Sequence, residues 1–123
     1  MNGGILIPPT LLVRSEEAAA ALGTRVISED TSRAMRFLFR QNVLVGSGRN
    51  AEAPGYLVGG KTGTAGKVVN GAYSDNQVLN SFLAAFPMDN PQYIVLVVVD
   101  DPHPAVPGGG NTAGYNAAPA VSN

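Results

Sequence analysis

The sequence predicts an α+β fold in which an antiparallel sheet of three strands packs with helices. Three β-prone runs follow one another in the second half of the chain, and an amphipathic helical pattern precedes them. The runs are joined by short, turn-rich stretches, whereas a parallel pair needs a crossover of roughly a dozen residues or more. The three strands are therefore expected to form a meander.

The first part of the chain offers short extended segments. Residues 5–7 are apolar and stop at Pro8-Pro9, where the missing N–H ends strand pairing. Residues 10–13 and 26–27 are expected to be further extended pieces. Residues 15–22 contain good helix formers, but we expect a loop or a short turn there.

A helix is predicted over residues 29–42. Ser28 is a suitable N-cap, and Glu29 and Asp30 follow in the first turn, where carboxylates interact favourably with the helix dipole. Apolar side chains then recur on one helical face (Met35, Leu38, Phe39), and arginines recur on the other (Arg33, Arg36, Arg40). We expect the arginines to form a solvated face.

The first strand of the meander is expected to start in the apolar run Tyr56-Leu57-Val58 and to continue through residues 59–65. The turn-rich stretch 66–76 suits a hairpin connection. The second strand is expected over residues 81–86, which end at a proline.

The third strand is predicted over residues 93–100, after the tight-turn sequence Met88-Asp89-Asn90-Pro91. It is apolar on both faces, so it should be covered on both sides. A loop over residues 102–110 leads to residues 112–121, which are expected to begin a helix.

Composition excludes several classes of protein. The 123 residues fit one small domain, and a formal net charge of -1 gives no electrostatic footprint for nucleic acid. With no cysteine, and with His103 as the single histidine, we expect no metal site, no histidine triad and no cofactor. The longest apolar run, residues 94–99, is the length of a strand rather than of a membrane span.

The glycine-rich segment around Lys61 is the candidate functional site. Glycines allow another backbone to come close, Lys61 supplies a positive charge, and Thr62 and Thr64 supply hydroxyl groups. Together these features predict a strand edge that holds an anionic, extended ligand.

Two known motifs contain this lysine, and the first is a phosphate-binding loop. Residues Gly55 to Thr62 satisfy the pattern G-x-x-x-x-G-K-[ST], and the apolar strand ending at Asp100 resembles one that holds magnesium, so nucleotide binding is an alternative. A phosphate loop opens a helix, however, and here Gly63 and Gly66 follow Thr62 closely. This alternative requires a helix directly behind Thr62.

The second motif is Lys61-Thr62-Gly63, which occurs in serine acyl-transferases acting on penicillin and peptidoglycan. Residues 59–65 resemble the lysine-threonine-glycine strand of the class B penicillin-binding D,D-transpeptidases. The resemblance runs in the family's order from Asn2-Gly3-Gly4 to residues 112–121. It implies that residues 1–123 are the C-terminal part of a transpeptidase domain with the serine β-lactamase/penicillin-binding transpeptidase fold.

The resemblance also implies roles for these residues. Lys61 would supply charge and help to move a proton, the hydroxyls of Thr62 and Thr64 would hold a substrate carboxylate, and Gly63 would keep the edge open. The Thr64 backbone N–H would be one of two oxyanion-hole donors. The implied partners are the peptidoglycan stem peptide and β-lactams, and the implied location is periplasmic, in a membrane-anchored parent protein.

Part of the family's machinery has no counterpart in this sequence. The nucleophile should lie in Ser-x-x-Lys, and no serine here has a lysine three positions later. Ser74-Asp75-Asn76 spells the family's second motif but follows the lysine strand, so we interpret it as a turn. Gly66 stands where the family usually has a longer polar residue. The chain is therefore expected to be inactive alone, and its uncovered sheet or swapped segments are expected to allow self-association.

Overall fold

The structure is a computed structural model that describes residues 2–104 and 106–122. Its elements in chain order are β1 (Ile5–Leu6), α1 (Glu16–Ala21), β2 (Thr24–Arg25), α2 (Glu29–Val45), a 3₁₀ helix (Arg49–Ala51), β3 (Gly59–Val69), β4 (Ala72–Phe86), β5 (Tyr93–Asp100), α3 (Ala113–Asn116) and α4 (Pro119–Ser122). The chain forms two compact units, residues 1–36 and 37–123, and the division falls within α2.

The first unit corrects three sequence expectations. Residues 15–22 are not a loop, because the Ser15 hydroxyl accepts a hydrogen bond from the Ala18 N–H and caps α1. The predicted strand at residues 26–27 lies at Thr24–Arg25, paired antiparallel with β1. Residues 10–13 form no strand, since the Leu12 N–H turns back to the Thr10 hydroxyl at 3.0 Å.

Helix α2 confirms the best-defined sequence prediction and extends it to Val45. The Ser28 hydroxyl accepts a hydrogen bond from the Thr31 N–H at 3.1 Å, as expected of an N-cap. Arg40 is not part of a solvated face. Its guanidinium forms a two-pronged ion pair with Glu52 and donates to the Val58 carbonyl at 2.7 Å, which ties α2 to the chain entering β3.

The second unit contains the predicted meander, with strand order β3-β4-β5 and antiparallel pairing throughout. Thr62 pairs with Phe82, which in turn pairs with Val97. The expected antiparallel sheet and α+β class are confirmed.

The strand boundaries differ from those predicted. Strand β3 begins at Gly59 rather than at Tyr56, because the Tyr56 N–H closes a turn onto Ala53 and Leu57 has a positive φ of 50°. The stretch 66–76 is mostly strand. The hairpin turn is only Asn70-Gly71, and φ is positive at both residues, as a two-residue type I′ turn requires.

Ser74 lies in β4 and not in a turn between strands. Regular pairing is interrupted where residues 74–77 face Lys67 across a register shift. The Ser74 hydroxyl accepts a hydrogen bond from the Gln77 N–H within this irregular stretch. This is a local bond typical of a turn, but the hairpin turn itself lies at Asn70-Gly71.

One face of the sheet carries the core, which contains the fully buried residues Phe82, Val43 and Val58 with Ala51, Ala84, Ala113, Ala117 and Ala118. Half-buried valines at positions 95, 97 and 99 of β5 pack against it. The alternate residues Ile94, Leu96 and Val98 are exposed in the described chain. The expectation that β5 is covered on both sides is therefore wrong for this chain.

The C-terminal helix predicted over residues 112–121 is two short helices, α3 and α4. Pro119 starts the second helix, and it has no N–H with which to continue the hydrogen-bond ladder of the first. Helix α3 packs against the core through buried Ala113, the connection between the helices through buried Ala117 and Ala118, and α4 through half-buried Val121.

The Arg40–Glu52 pair gives a pH-dependent contribution to stability. The hydrogen bond from Arg40 holds the pKa of Glu52 below its ordinary value. The pair therefore stabilises the fold fully above that ordinary value, about 4.3, and its contribution is lost as the pH falls through the lowered pKa. We expect Glu52→Gln to lower Tm at pH 7, and the difference from wild type to shrink in thermal melts below about pH 4.

Asp30→Asn is the matched control, because Asp30 forms an exposed ion pair with Arg33. It should change Tm little at any pH, since exposed pairs contribute about 0–1 kcal/mol. A Glu52→Gln difference that stays constant down to pH 3 would contradict the assigned ion pair.

Candidate active-site strand

The candidate residues lie on β3, at the edge of the sheet. Strand β3 pairs with β4 on one side, and within residues 2–104 and 106–122 no strand pairs with its other side. Side chains alternate along a strand, so Lys61 shares the face of its partner Leu83, while Thr62 and Thr64 share the opposite face with Phe82 and Asn80.

The glycines around Lys61 have a packing role that the sequence did not reveal. A Cβ at Gly60 would lie 2.5 Å from the Leu83 carbonyl oxygen and 2.7 Å from the Phe82 ring. At Gly63 it would lie 2.6 Å from the Ser81 hydroxyl. These positions need glycine because β4 approaches closely, in addition to any approach by a ligand.

The structure brings Lys61 and Thr62 together. The Lys61 ammonium bends around the strand edge and donates to the Thr62 carbonyl at 2.7 Å and to the Thr62 hydroxyl at 3.3 Å. In the part of the chain that is described, no carboxylate pairs with Lys61. An exposed cation beside a hydroxyl on an unpaired strand edge can attract and orient an anionic group.

The hydroxyl of Thr64 is fixed by the segment that follows β5. It accepts a hydrogen bond from the Ala113 N–H at 3.1 Å and keeps its own proton for a further acceptor. Buried Asn80 holds the same segment, because its amide donates to the Asn111 carbonyl and to the Asn116 side chain, both at 3.0 Å. Sequence reasoning missed Ala113 and Asn80, since these contacts join distant parts of the chain.

The hydroxyl of Thr62 is held by the loop after α2. The Ser47 and Thr62 hydroxyl oxygens are 2.8 Å apart, and Ser47 also bonds to the Asn42 side chain at 3.1 Å. Ser47 lies between Gly46 and Gly48, and nothing in the sequence indicated that it would reach the candidate site.

The phosphate-loop interpretation is wrong. The chain behind Thr62 continues as a strand to Val69, so the segment that a phosphate loop requires to be a helix is a strand. Asp100, which that interpretation assigned to magnesium, instead forms an ion pair with Lys67 at 2.8 Å. The hydrogen bond from Lys67 to Asp100 raises the pKa of that lysine.

Three further observations concern the described residues only. His103 is exposed in the loop after β5. Among residues 2–104 and 106–122, no group of acidic, histidine or cysteine side chains is arranged to hold a metal ion. None of the helices in the same part of the chain combines the length and the hydropathy needed to cross a membrane.

Comparison with known proteins places these features in one family. Residues 1–123 match the family described as the penicillin binding protein transpeptidase domain. Stage V sporulation protein D of Bacillus subtilis is 46% identical over 100% of this chain and 20% of its own length. A peptidoglycan D,D-transpeptidase FtsI homolog of Mesostigma viride is 42% identical over 76% of this chain and 16% of its own length.

Solved structures show the same relationship. The transpeptidase domain of Burkholderia pseudomallei penicillin-binding protein 3 superposes with a TM-score of 0.78 at 36% identity, covering 98% of this chain and 35% of that domain. Penicillin-binding protein 3 of Mycobacterium tuberculosis, complexed with ampicillin, gives a TM-score of 0.73 at 27% identity, covering 98% of this chain and 30% of that one. The chain thus spans about a fifth of the length of the first relative and about a third of these structures. With its lysine-threonine-glycine strand at a sheet edge and a match along its whole length, the chain belongs to the penicillin-binding protein transpeptidase-domain family, among the class B penicillin-binding proteins.

Proposed function

We propose that residues 1–123 are the C-terminal portion of a D,D-transpeptidase domain and carry the strand that binds the acyl donor during peptidoglycan cross-linking. The observation that supports this most is the Lys61 ammonium on the unpaired edge of β3, with the hydroxyls of Thr62 and Thr64 on the same strand. A peptide that ends in a carboxylate and binds in extended form is complementary to such an edge.

Each residue has a chemical role in this proposal. Lys61 attracts the carboxylate and assists proton transfer, and Thr62, Gly63 and Thr64 form the strand segment against which the substrate lies. The Thr64 backbone N–H is one of two oxyanion-hole donors, a contribution of roughly 3–4 kcal/mol to the acylation barrier. The nucleophilic serine must come from chain outside these residues, since Ser-x-x-Lys does not occur in them.

The ligand class follows from the same chemistry. The proposed ligands are stem peptides with a D-Ala-D-Ala end and β-lactams, which also carry an anionic group near a reactive carbonyl. Support for β-lactams comes from the Mycobacterium tuberculosis relative, whose structures contain ampicillin and aztreonam. We further propose that the parent protein works outside the cytoplasm on a membrane anchor, where its peptidoglycan substrate lies.

Labelling with fluorescent penicillin tests this function. The 123-residue chain alone should remain unlabelled, because it has no acylable serine in the required motif. A protein that joins it to the Ser-x-x-Lys half of the domain should be labelled covalently, and unlabelled ampicillin should compete. Covalent labelling of the isolated chain, or no labelling of the complete domain, would contradict the proposal.

The open face of the sheet supports self-association of the isolated chain. Its exposed apolar residues include Leu83, Ile94 and Leu96, which are 48%, 68% and 61% accessible. The chain alone should therefore form dimers or larger species in light scattering, and the complete domain should not. A clean monomer of the isolated chain would rule this proposal out.

A further inference from the structure

The side chain of Asn42 has one defined orientation. Its amide nitrogen donates to the Gly60 carbonyl at 2.9 Å, and its amide oxygen accepts from the Ser47 N–H at 3.1 Å. Both partners are backbone groups whose donor or acceptor character is fixed, so the amide cannot be turned over without losing both bonds. Asn42 therefore presents an oxygen, which is an acceptor only, to the Ser47 hydroxyl.

This orientation determines which group donates and which accepts in each hydrogen bond between Asn42 and Lys61. The Ser47 hydroxyl donates to the Asn42 oxygen at 3.1 Å, so its own oxygen is left to accept from the Thr62 hydroxyl at 2.8 Å. The Thr62 oxygen then accepts from the Lys61 ammonium at 3.3 Å. This is the one arrangement in which all three contacts are hydrogen bonds, because each hydroxyl has a single proton.

The loop that carries Ser47 is folded tightly around Asn42. The N–H groups of Gly46 and Gly48 both donate to the Asn42 carbonyl, at 3.0 and 3.2 Å. A Cβ at Gly48 would lie 3.0 Å from both the Asn42 amide nitrogen and the Phe82 ring. Ser47 is thus held by backbone bonds on both sides, and it can act as a fixed support for Thr62.

We propose that Asn42 and Ser47 are positioning residues that hold the Thr62 hydroxyl in one rotamer and, through it, the Lys61 ammonium at the edge of β3. This inference rests on the proposed function, in which that edge receives the ligand's carboxylate. Because the Lys61 ammonium is already placed before the ligand arrives, binding a carboxylate requires less ordering of that side chain.

The first experiment uses the 123-residue chain and does not depend on any activity. Three-bond scalar couplings measured by NMR report the χ1 rotamer of Thr62. We expect a single rotamer in the wild-type chain and in Ser47→Thr, and averaging over rotamers in Ser47→Ala. Couplings that show a single χ1 rotamer of Thr62 in Ser47→Ala would overturn the inference.

The second experiment measures acylation of the complete transpeptidase domain by fluorescent penicillin and by its methyl ester. We expect Ser47→Ala to lower the second-order rate constant about 3- to 10-fold for the acid, the size of one hydrogen bond, and to leave the ester rate unchanged. Ser47→Thr should restore the acid rate. Ser122→Ala, which removes a hydroxyl bonded to backbone carbonyls elsewhere, should leave both rates unchanged.

A double-mutant cycle separates positioning from loop folding. In a Thr62→Val background the Ser47→Ala loss should disappear, because the group on which Ser47 acts is gone. An equal loss for acid and ester, an undiminished loss in the Thr62→Val background, or a faster acid reaction in Ser47→Ala would each overturn the inference. If the wild-type domain is not acylated at all, the proposed function fails, and the rotamer of Thr62 still decides whether Ser47 positions it.

Discussion

Replacement of Lys61 with alanine is expected to lower acylation of the complete transpeptidase domain by fluorescent penicillin at least about 100-fold, with no change in the unfolding midpoint. The ammonium is the cation that the structure places at the free edge of β3, on the Thr62 carbonyl and hydroxyl. In the proposed function, its loss removes both the charge that would attract the carboxylate and a group that would assist proton transfer, a role worth about 10²–10⁴-fold. Lys61 is exposed, so the fold should not depend on it.

Lys67→Ala is the matched control for Lys61→Ala. Lys67 lies on the same strand, but its ammonium pairs with Asp100 across the sheet rather than standing at the candidate site. The control should retain nearly full acylation. If Lys61→Ala acylates within a few-fold of wild type, or if both lysine variants lose activity equally, Lys61 has no specific role in acylation.

Replacement of Phe82 with alanine should destabilise the fold by about 3–5 kcal/mol, the largest effect expected of any single core substitution here. Phe82 is fully buried on β4, the middle strand of the sheet. It pairs with Thr62 on β3, and its ring lies against Gly60 and Gly48. The cavity left by its ring would remove support from the strand that carries Lys61. Urea denaturation followed by circular dichroism measures the loss.

Leu83→Ala is the control that tests which face of the sheet is buried. Leu83 follows Phe82 directly but points to the open face, where its side chain is 48% exposed. Its substitution should cost about 1 kcal/mol, well below the cost for Phe82, because only about half of its surface is removed from water. A larger loss for Leu83→Ala than for Phe82→Ala would mean that the assignment of buried and open faces is reversed.

Local chemistry in the sequence predicted a substantial part of the fold. Helix α2 could be predicted because its cap, its acidic first turn and its apolar spacing all agree, and Ser28 and Glu29 stand where the structure places its start. The meander could be predicted because short connections exclude crossovers. The hairpin was misplaced because the many turn-forming residues over 66–76 obscured Asn70-Gly71, which is the turn itself.

The parts that could not be predicted depend on contacts between distant residues. Arg40 resembles any other arginine on a solvated helix face until Glu52 and the Val58 carbonyl are placed beside it. The open face of β5 is apolar in sequence, as a covered strand would be, so composition could not show that residues 2–104 and 106–122 leave it exposed.

The candidate site likewise contains residues that a local motif predicts and residues that it does not. A motif of consecutive residues predicts Lys61, Thr62, Gly63 and Thr64 as candidate site residues, and this stays a prediction. The residues that support them lie in three other segments. Ser47 bonds to Thr62 across 15 positions and Ala113 bonds to Thr64 across 49 positions, while Asn80 is the strand partner of Thr64. No local pattern marks such residues, because their role exists only after the chain has folded.

The most direct test is a crystal structure of the complete domain acylated by ampicillin. We expect the ligand's carboxylate to lie within hydrogen-bond distance of the Lys61 ammonium and of the Thr64 hydroxyl, whose proton is free to donate, and its acyl oxygen to lie against the Thr64 N–H. A carboxylate bound away from β3, with Lys61 still folded onto Thr62 and no ligand atom near it, would contradict the central claim that this strand edge receives the substrate.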